Sequence, residues 1–170
     1  MSEAERYYGK YRGTVLQNVD PMGEGRIMVQ VAAVSVMPST WAMPCVPVSG
    51  IQSGLYAVPA IGASVWVEFE GGDPNHPIWV GGFWGSRADV PALAQATPPG
   101  LQSFVLQTQA QSTFMLSDAP GPTGGILLKT STGALISVND LGITISNGKG
   151  ATIVMTAKQV IINEGALLVQ

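Results

Sequence analysis

Eight short, strongly apolar runs pass through residues 101–170 at near-regular intervals, separated by Gly, Asn, Asp and Thr. They are Phe104–Leu106, Phe114–Leu116, Ile126–Leu128, Leu135–Val138, Ile143–Ile145, Ile153–Met155, Val160–Ile162 and Leu167–Val169. Most neighbouring runs start roughly 7–10 residues apart, the spacing of successive short strands joined by turns. The one long gap holds the insert Ala119-Pro-Gly-Pro-Thr-Gly-Gly125. Gly133, Gly142 and Gly148 are expected to permit the turns. A segment like this has too little polar surface to cover its own strands as a monomer. It predicts a closed β-structure shared between several chains.

Composition supports the same inference. Charged residues make up 11% of the chain and hydrophobic residues 46%, against a usual charged fraction of about 25%. Either a membrane or heavy burial between subunits would account for that. No run reaches the roughly 18 apolar residues of a spanning helix, and the runs are shorter than the 9–11 or so residues of a transmembrane barrel strand. Burial against other subunits is the better account. The polar start Met-Ser-Glu-Ala-Glu-Arg is not a secretory signal, and a single cysteine, Cys45, leaves no intrachain disulfide. Both fit synthesis in a reducing cytoplasm. A net charge of −3 and a pI near 4.9 argue against nucleic acid as a main partner.

Residues 9–84 read as five short antiparallel strands, preceded by an arm at 1–8. The first strand, Arg12–Val19, stops at Asp20-Pro-Met-Gly-Glu-Gly25, where Pro21 blocks continuation and the two glycines allow positive φ. The second is Arg26–Val31. The third, Trp41–Val48, is marked by Pro44 and Pro47 as an edge or broken strand. The fourth, Ala63–Glu70, alternates cleanly: Val65, Val67 and Phe69 one way, Ser64, Trp66, Glu68 and Glu70 the other. The fifth is Ile78–Trp84. Five such strands in about eighty residues favour a small Greek-key barrel of OB type. Residues 85–100, with Pro91, Pro98 and Pro99, read as a linker, with room for a short helix within Ala88–Ala96. The acidic start with Glu3, Glu5, Tyr7 and Tyr8 is either a docking arm or, more commonly, a frayed terminus.

Several pieces in order resemble one family. They are Gly13-Thr-Val15, Asn18, Asp20-Pro21, Gly25-Arg26, Val29, Pro59, Gly62, Val65-Trp-Val-Glu-Phe69, Gly72-Asp-Pro74, Pro77 and Val80-Gly-Gly82. The set resembles the OB domain of contractile-tail spike proteins, the phage baseplate assembly protein V family and the VgrG spikes of type VI secretion. The resemblance implies a homotrimeric needle whose OB domain docks on a baseplate hub protein. It also implies a C-terminal triple-stranded β-helix over residues 101–170, formed by three intertwined chains, that pierces the target envelope and so makes transient contact with its membrane. Short phage spikes end in an iron-binding His-X-His apex; the only histidine here, His76, lies in the barrel. The end Asn163-Glu-Gly-Ala-Leu-Leu-Val-Gln170 looks instead like a blunt platform for a PAAR-type tip protein. Leu167, Leu168, Val169 and Gln170 would be its docking residues, and effector cargo is a further partner in such systems.

Sites of chemistry are scarce. One histidine and one cysteine cannot build a zinc site, and His76 reads as a solvated loop residue. Glu68 and Glu70, two apart on a strand, share a face as a glycosidase pair would, but exposed carboxylates usually serve solubility. Gly71-Gly-Asp-Pro-Asn is not a phosphate loop. Trp66, Trp79, Phe83 and Trp84 could form a base-stacking platform on an OB barrel, though Glu68, Glu70 and Asp73 make its surroundings acidic, so core and interface roles weigh more. Cys45 reads as a small buried residue.

The expectation is therefore an all-β structural spike without enzymatic activity or cofactor, assembled in the cytoplasm and then carried in a phage tail or injection particle. Its interior would be packed by Ile126, Leu128, Ile136, Val138, Ile143, Ile145, Ile153, Met155, Val160 and Ile162. The alternatives are an OB-fold single-stranded nucleic-acid binder with a β-rich oligomerisation tail, and an envelope-degrading enzyme or adhesin on a β-helical stalk.

Overall fold

Strand β1 (Tyr11–Gln17) runs into the turn at Asp20–Gly25 and returns as β2 (Ile27–Gln30). A computed structural model describes residues 5–169, with backbone alone at Leu168 and Val169. The turn is closed by Asp20. Its carboxylate accepts the backbone N–H groups of Met22, Glu24 and Arg26, and the Arg26 guanidinium, at 2.7 Å from Nη2. Gly23 and Gly25 take φ of 69° and 77°, as the sequence predicts. The Arg26 side chain also lies over the Trp41 ring. These contacts fix the register in which Val15 faces Val29.

The chain continues through β3 (Trp41–Pro44), a two-strand hairpin of β4 (Ser49–Gly50) and β5 (Ser53–Gly54), then β6 (Ser64–Phe69) and β7 (Pro77–Gly82). The barrel closes in the order β1-β2-β3-β7-β6, with β3 parallel to β7 and the other pairs antiparallel. That connectivity is the five-stranded OB arrangement. The core is Val15, Ile27, Val29, Val31, Ala42, Val65, Val67, Phe69 and Trp79. The Trp79 indole N–H donates to the Gly25 carbonyl at 3.2 Å, so a buried donor stays satisfied.

Of the two readings of the third strand, edge or broken, the second holds: β3 stops at Pro44 instead of reaching Val48, and β2 and β7 flank it. Three expectations need correction here. Glu70 does not share a strand face with Glu68: β6 stops at Phe69, and Glu70 opens a 3-10 turn through Gly72 in which Gly71 takes φ 57°. Cys45 is exposed, because it falls on the outward parity set by buried Ala42 and exposed Met43. The start of the described chain is tied down, since Arg6 donates to Gly71 O, Tyr7 N–H donates to Gly72 O, and the Tyr7 and Tyr11 rings pack on Phe69. Glu3 lies outside the described residues.

Two units partition the chain, residues 1–87 and 88–170. The second begins with a one-turn helix, α1 (Ala92–Ala96). Each of the eight apolar runs then forms a strand: β8 (Ser103–Gln107), β9 (Thr113–Ser117), β10 (Gly125–Lys129), β11 (Leu135–Asn139), β12 (Gly142–Ser146), β13 (Thr152–Thr156), β14 (Gln159–Ile162) and β15 (Leu167–Val169). They pair in sequence order as one antiparallel meander. Backbone pairing is thus met within a single chain, and each strand from β9 to β14 has a neighbour on both sides.

Candidate functional site

Register decides which side chains share a face of this meander. Phe104 faces Leu116, which faces Ile126, and the row continues through Val138, Ile143, Met155 and Val160. A parallel row runs Leu106, Phe114, Leu128, Ile136, Ile145, Ile153, Ile162 and Leu167. Residues two apart on a strand point the same way, so both rows lie on one side. No polar residue interrupts either. All ten residues expected to pack the interior, Ile126, Leu128, Ile136, Val138, Ile143, Ile145, Ile153, Met155, Val160 and Ile162, fall in these two rows.

The opposite face is mixed. Its central row reads Val105, Met115, Leu127, Ser137, Thr144, Val154 and Ile161, flanked by Ser, Thr, Gln, Asn and Gly together with Lys129 and Leu135. Yet the uniformly apolar face is the more exposed of the two. Phe104, Leu106, Leu116, Ile126, Leu128, Ile136, Val138, Ile145 and Ile153 are all exposed, whereas Met115 is buried and Val105, Leu127, Thr144 and Val154 are half-buried. A sheet that met water with one face would present its polar side. This one presents its apolar side, a contiguous patch of the kind that marks an interaction surface.

The turns keep the rows in register without adding bulk. Gly142 opens β12 at φ 136°, and a Cβ there would run into the Met155 carbonyl on the neighbouring strand. Gly133 and Gly148 take φ of 92° and 70°, as expected of the turn glycines. Asn147 Oδ1 accepts the N–H groups of Lys149 and Ala151, and Asn163 Oδ1 accepts that of Thr152. Lys129 is the one charged residue inside the eight strands, the other charges of this span standing in the turns. The open edges are β8 and β15. Of the expected tip residues, Leu167 stands exposed on β15; Leu168 and Val169 pair with Ile161 and Val160 through the backbone, and Gln170 lies outside the described residues.

The barrel offers less chemistry. Trp66 and Phe83 stack at 4.7 Å between centroids with Arg12 over both rings, while Trp79 is core and Trp84 is exposed. Glu68, two residues along the strand from Trp66, pairs with Lys10. His76 is exposed, 3.4 Å from Asp73. The Asn75 backbone N–H donates to Asp73 and, with the nearby His76, holds its carboxyl below the usual range. Arg26 holds that of Asp20 well below it, assisted by the three backbone donors. Among the described residues no cluster of three or more His, Cys, Asp or Glu could hold a metal ion.

Sequence reasoning missed the β4–β5 hairpin and the hollow beside it. Ser-Gly-Ile-Gln-Ser-Gly54 carries neither alternation nor β-branched pairs, so its only signal was the twin Ser-Gly dipeptide bounding a two-residue turn.

Two family models match the chain. Residues 11–84 match the type VI secretion system/phage-baseplate injector OB domain, which spans the closed barrel. Residues 103–168 match the phage baseplate V C-terminal trimerisation domain, which spans the meander from β8 into β15. A comparison with curated proteins returned no match.

Proposed function

The chain belongs to the phage baseplate V family of baseplate spike proteins, and from that premise we propose that it is the central needle of a contractile injection machine. The observation that carries this reading is the pair of unbroken apolar rows on the more exposed face of the β8–β15 meander. Three copies laid with those faces inward make a three-sided shaft, the triple-stranded β-helix of the family. Eight strands about 4.8 Å apart give a shaft of about 34 Å, slightly longer than the roughly 30 Å hydrocarbon core of a bilayer.

The role is mechanical rather than catalytic. Contraction drives a rod whose strands are bonded within each chain and whose apolar surface is buried between chains, so the rod transmits force without unfolding. The outward face carries mixed, mostly uncharged side chains, which suits passage through an envelope. The OB barrel docks on the baseplate hub, and the β15 end around Leu167 receives a PAAR-type tip, with effector cargo carried where such a system has one. Assembly takes place in the bacterial cytoplasm before incorporation into a tail or particle.

Electron microscopy of the purified full-length protein tests the reading. A three-fold rod with a shaft of the stated length is expected. A globular particle, or one of two-fold symmetry, refutes it.

A further inference from the structure

The barrel unit carries an apolar knob and an apolar hollow that its own fold leaves unmatched. The β4–β5 hairpin pairs Ser49 with Gly54 and Gly50 with Ser53, and Gln52 at its turn takes φ 52°. Beside Gln52 stands Ile51, 98% exposed. Two-residue hairpin turns favour Asn, Asp and Gly, so a β-branched apolar residue there gains nothing locally and meets water fully. Against the same hairpin lies a hollow of about 660 Å³, lined chiefly by Met43, Val46, Leu55, Tyr56, Val58 and Trp79. Met43, Leu55 and Tyr56 are themselves exposed.

We propose that Ile51 of one chain seats in this hollow on the next barrel of the same assembly, so that three barrels close head to tail into a ring. The proposal rests on the three-chain reading above. Two copies could exchange knobs reciprocally, but in an assembly of three that leaves one knob and one hollow unmatched, so the contact that satisfies all three is heterologous. Such contacts either close into a ring or run on as a filament. The trimerisation domain at residues 103–168 fixes the number of chains and hence ring closure. It also supplies the affinity. Twenty residues, 83–102, separate β7 from β8, so the three barrels stay together at an effective concentration on the order of millimolar. At that concentration a contact of millimolar strength is populated, although the same contact between free barrels would be negligible at ordinary protein concentrations.

The native thiol provides the test. Cys45 is exposed and shares the outward parity of Met43, a lining residue of the hollow. Ile51→Cys places a second thiol on the knob. Mild oxidation of the full-length variant should give covalent dimers and trimers on a non-reducing denaturing gel, in proportions unchanged by about tenfold dilution, as an intramolecular reaction requires. The same ladder should vanish in Ile51→Cys/Cys45→Ser. A ladder that persists without Cys45 means that knobs meet knobs, and overturns the proposal. So does a monomer band alone from a sample whose scattered-light mass is that of three chains. A mass of one chain would refute the three-chain reading itself and take this proposal with it. A second readout needs no crosslink: a thiol reagent should label Cys45 several-fold faster in Ile51→Ser than in the unaltered protein, and an equal rate overturns the seating.

Discussion

Replacing Ile145 by aspartate tests the apolar rows at their centre. Ile145 sits on β12 between Ile136 of β11 and Ile153 of β13, and 38% of its surface is uncovered in one chain. Completing the burial of an isoleucine so placed contributes about 0.6–1.1 kcal/mol, taking about 1.5–3 kcal/mol for the whole side chain. Three copies therefore lose about 2–3 kcal/mol if the residue is merely removed. Aspartate does worse, because each unpaired carboxylate taken from water costs several kcal/mol. Three of them in one layer also repel one another, for a total on the order of 10 kcal/mol. The assembly should fall apart while the barrel stays folded. Thr144→Asp is the matched control: one residue away but on the mixed face, it should leave assembly within about 1 kcal/mol of the unaltered protein. Light scattering coupled to size exclusion reads both variants. Equal masses for the two, or an Ile145→Asp assembly of unaltered mass and melting temperature, refute the assignment of the apolar face.

Three further perturbations follow from the geometry. Asp20→Asn removes the carboxylate that Arg26 and three backbone N–H groups hold, so the melting temperature of the barrel transition should fall. The folded carboxyl titrates well below its unfolded value, so its contribution is complete above about pH 4 and is lost as pH falls further; the gap between variant and parent should narrow below that pH and stay constant above it. Gly142→Ala forces a Cβ toward the Met155 carbonyl at φ 136°, and should cost about 1–3 kcal/mol per chain, seen as a lowered urea midpoint for loss of sheet signal. Trp79→Phe keeps an aromatic in the barrel core but leaves the Gly25 carbonyl without its indole donor, at a cost of about 1–3 kcal/mol in denaturant melts followed by circular dichroism.

How much of this was legible in the sequence depends on what each element buries. The eight apolar runs became eight strands because nearly every run sets two apolar residues two positions apart, which is the signal of one covered face. The barrel strands announced themselves in the same way, Val65, Val67 and Phe69 most clearly. The register of the eight strands was not legible: spacing alone does not say which residues meet, and it is the five-residue connection 147–151 that sets Ile143 and Ile145 against Met155 and Ile153. Two of the failures share a cause. Glu70 and the β4–β5 hairpin lie where the chain leaves regular alternation, and there backbone dihedrals decide which way a side chain points, whereas Cys45 keeps the alternation of β3 and was misplaced by its apolar character alone. A strand that ends one residue early at Phe69 dissolves the shared face of Glu68 and Glu70. Pro44 signalled a disrupted strand correctly, but nothing local could say that β7 would arrive beside it, 35 residues later, as a parallel partner.

Native mass spectrometry of the unaltered protein addresses the central claim most directly, that the apolar face of the β8–β15 meander is covered by copies of itself. Three chains of 17.7 kDa predict a single species of about 53 kDa that survives dilution. A dominant species of 17.7 kDa with its C-terminal sheet intact would contradict the account.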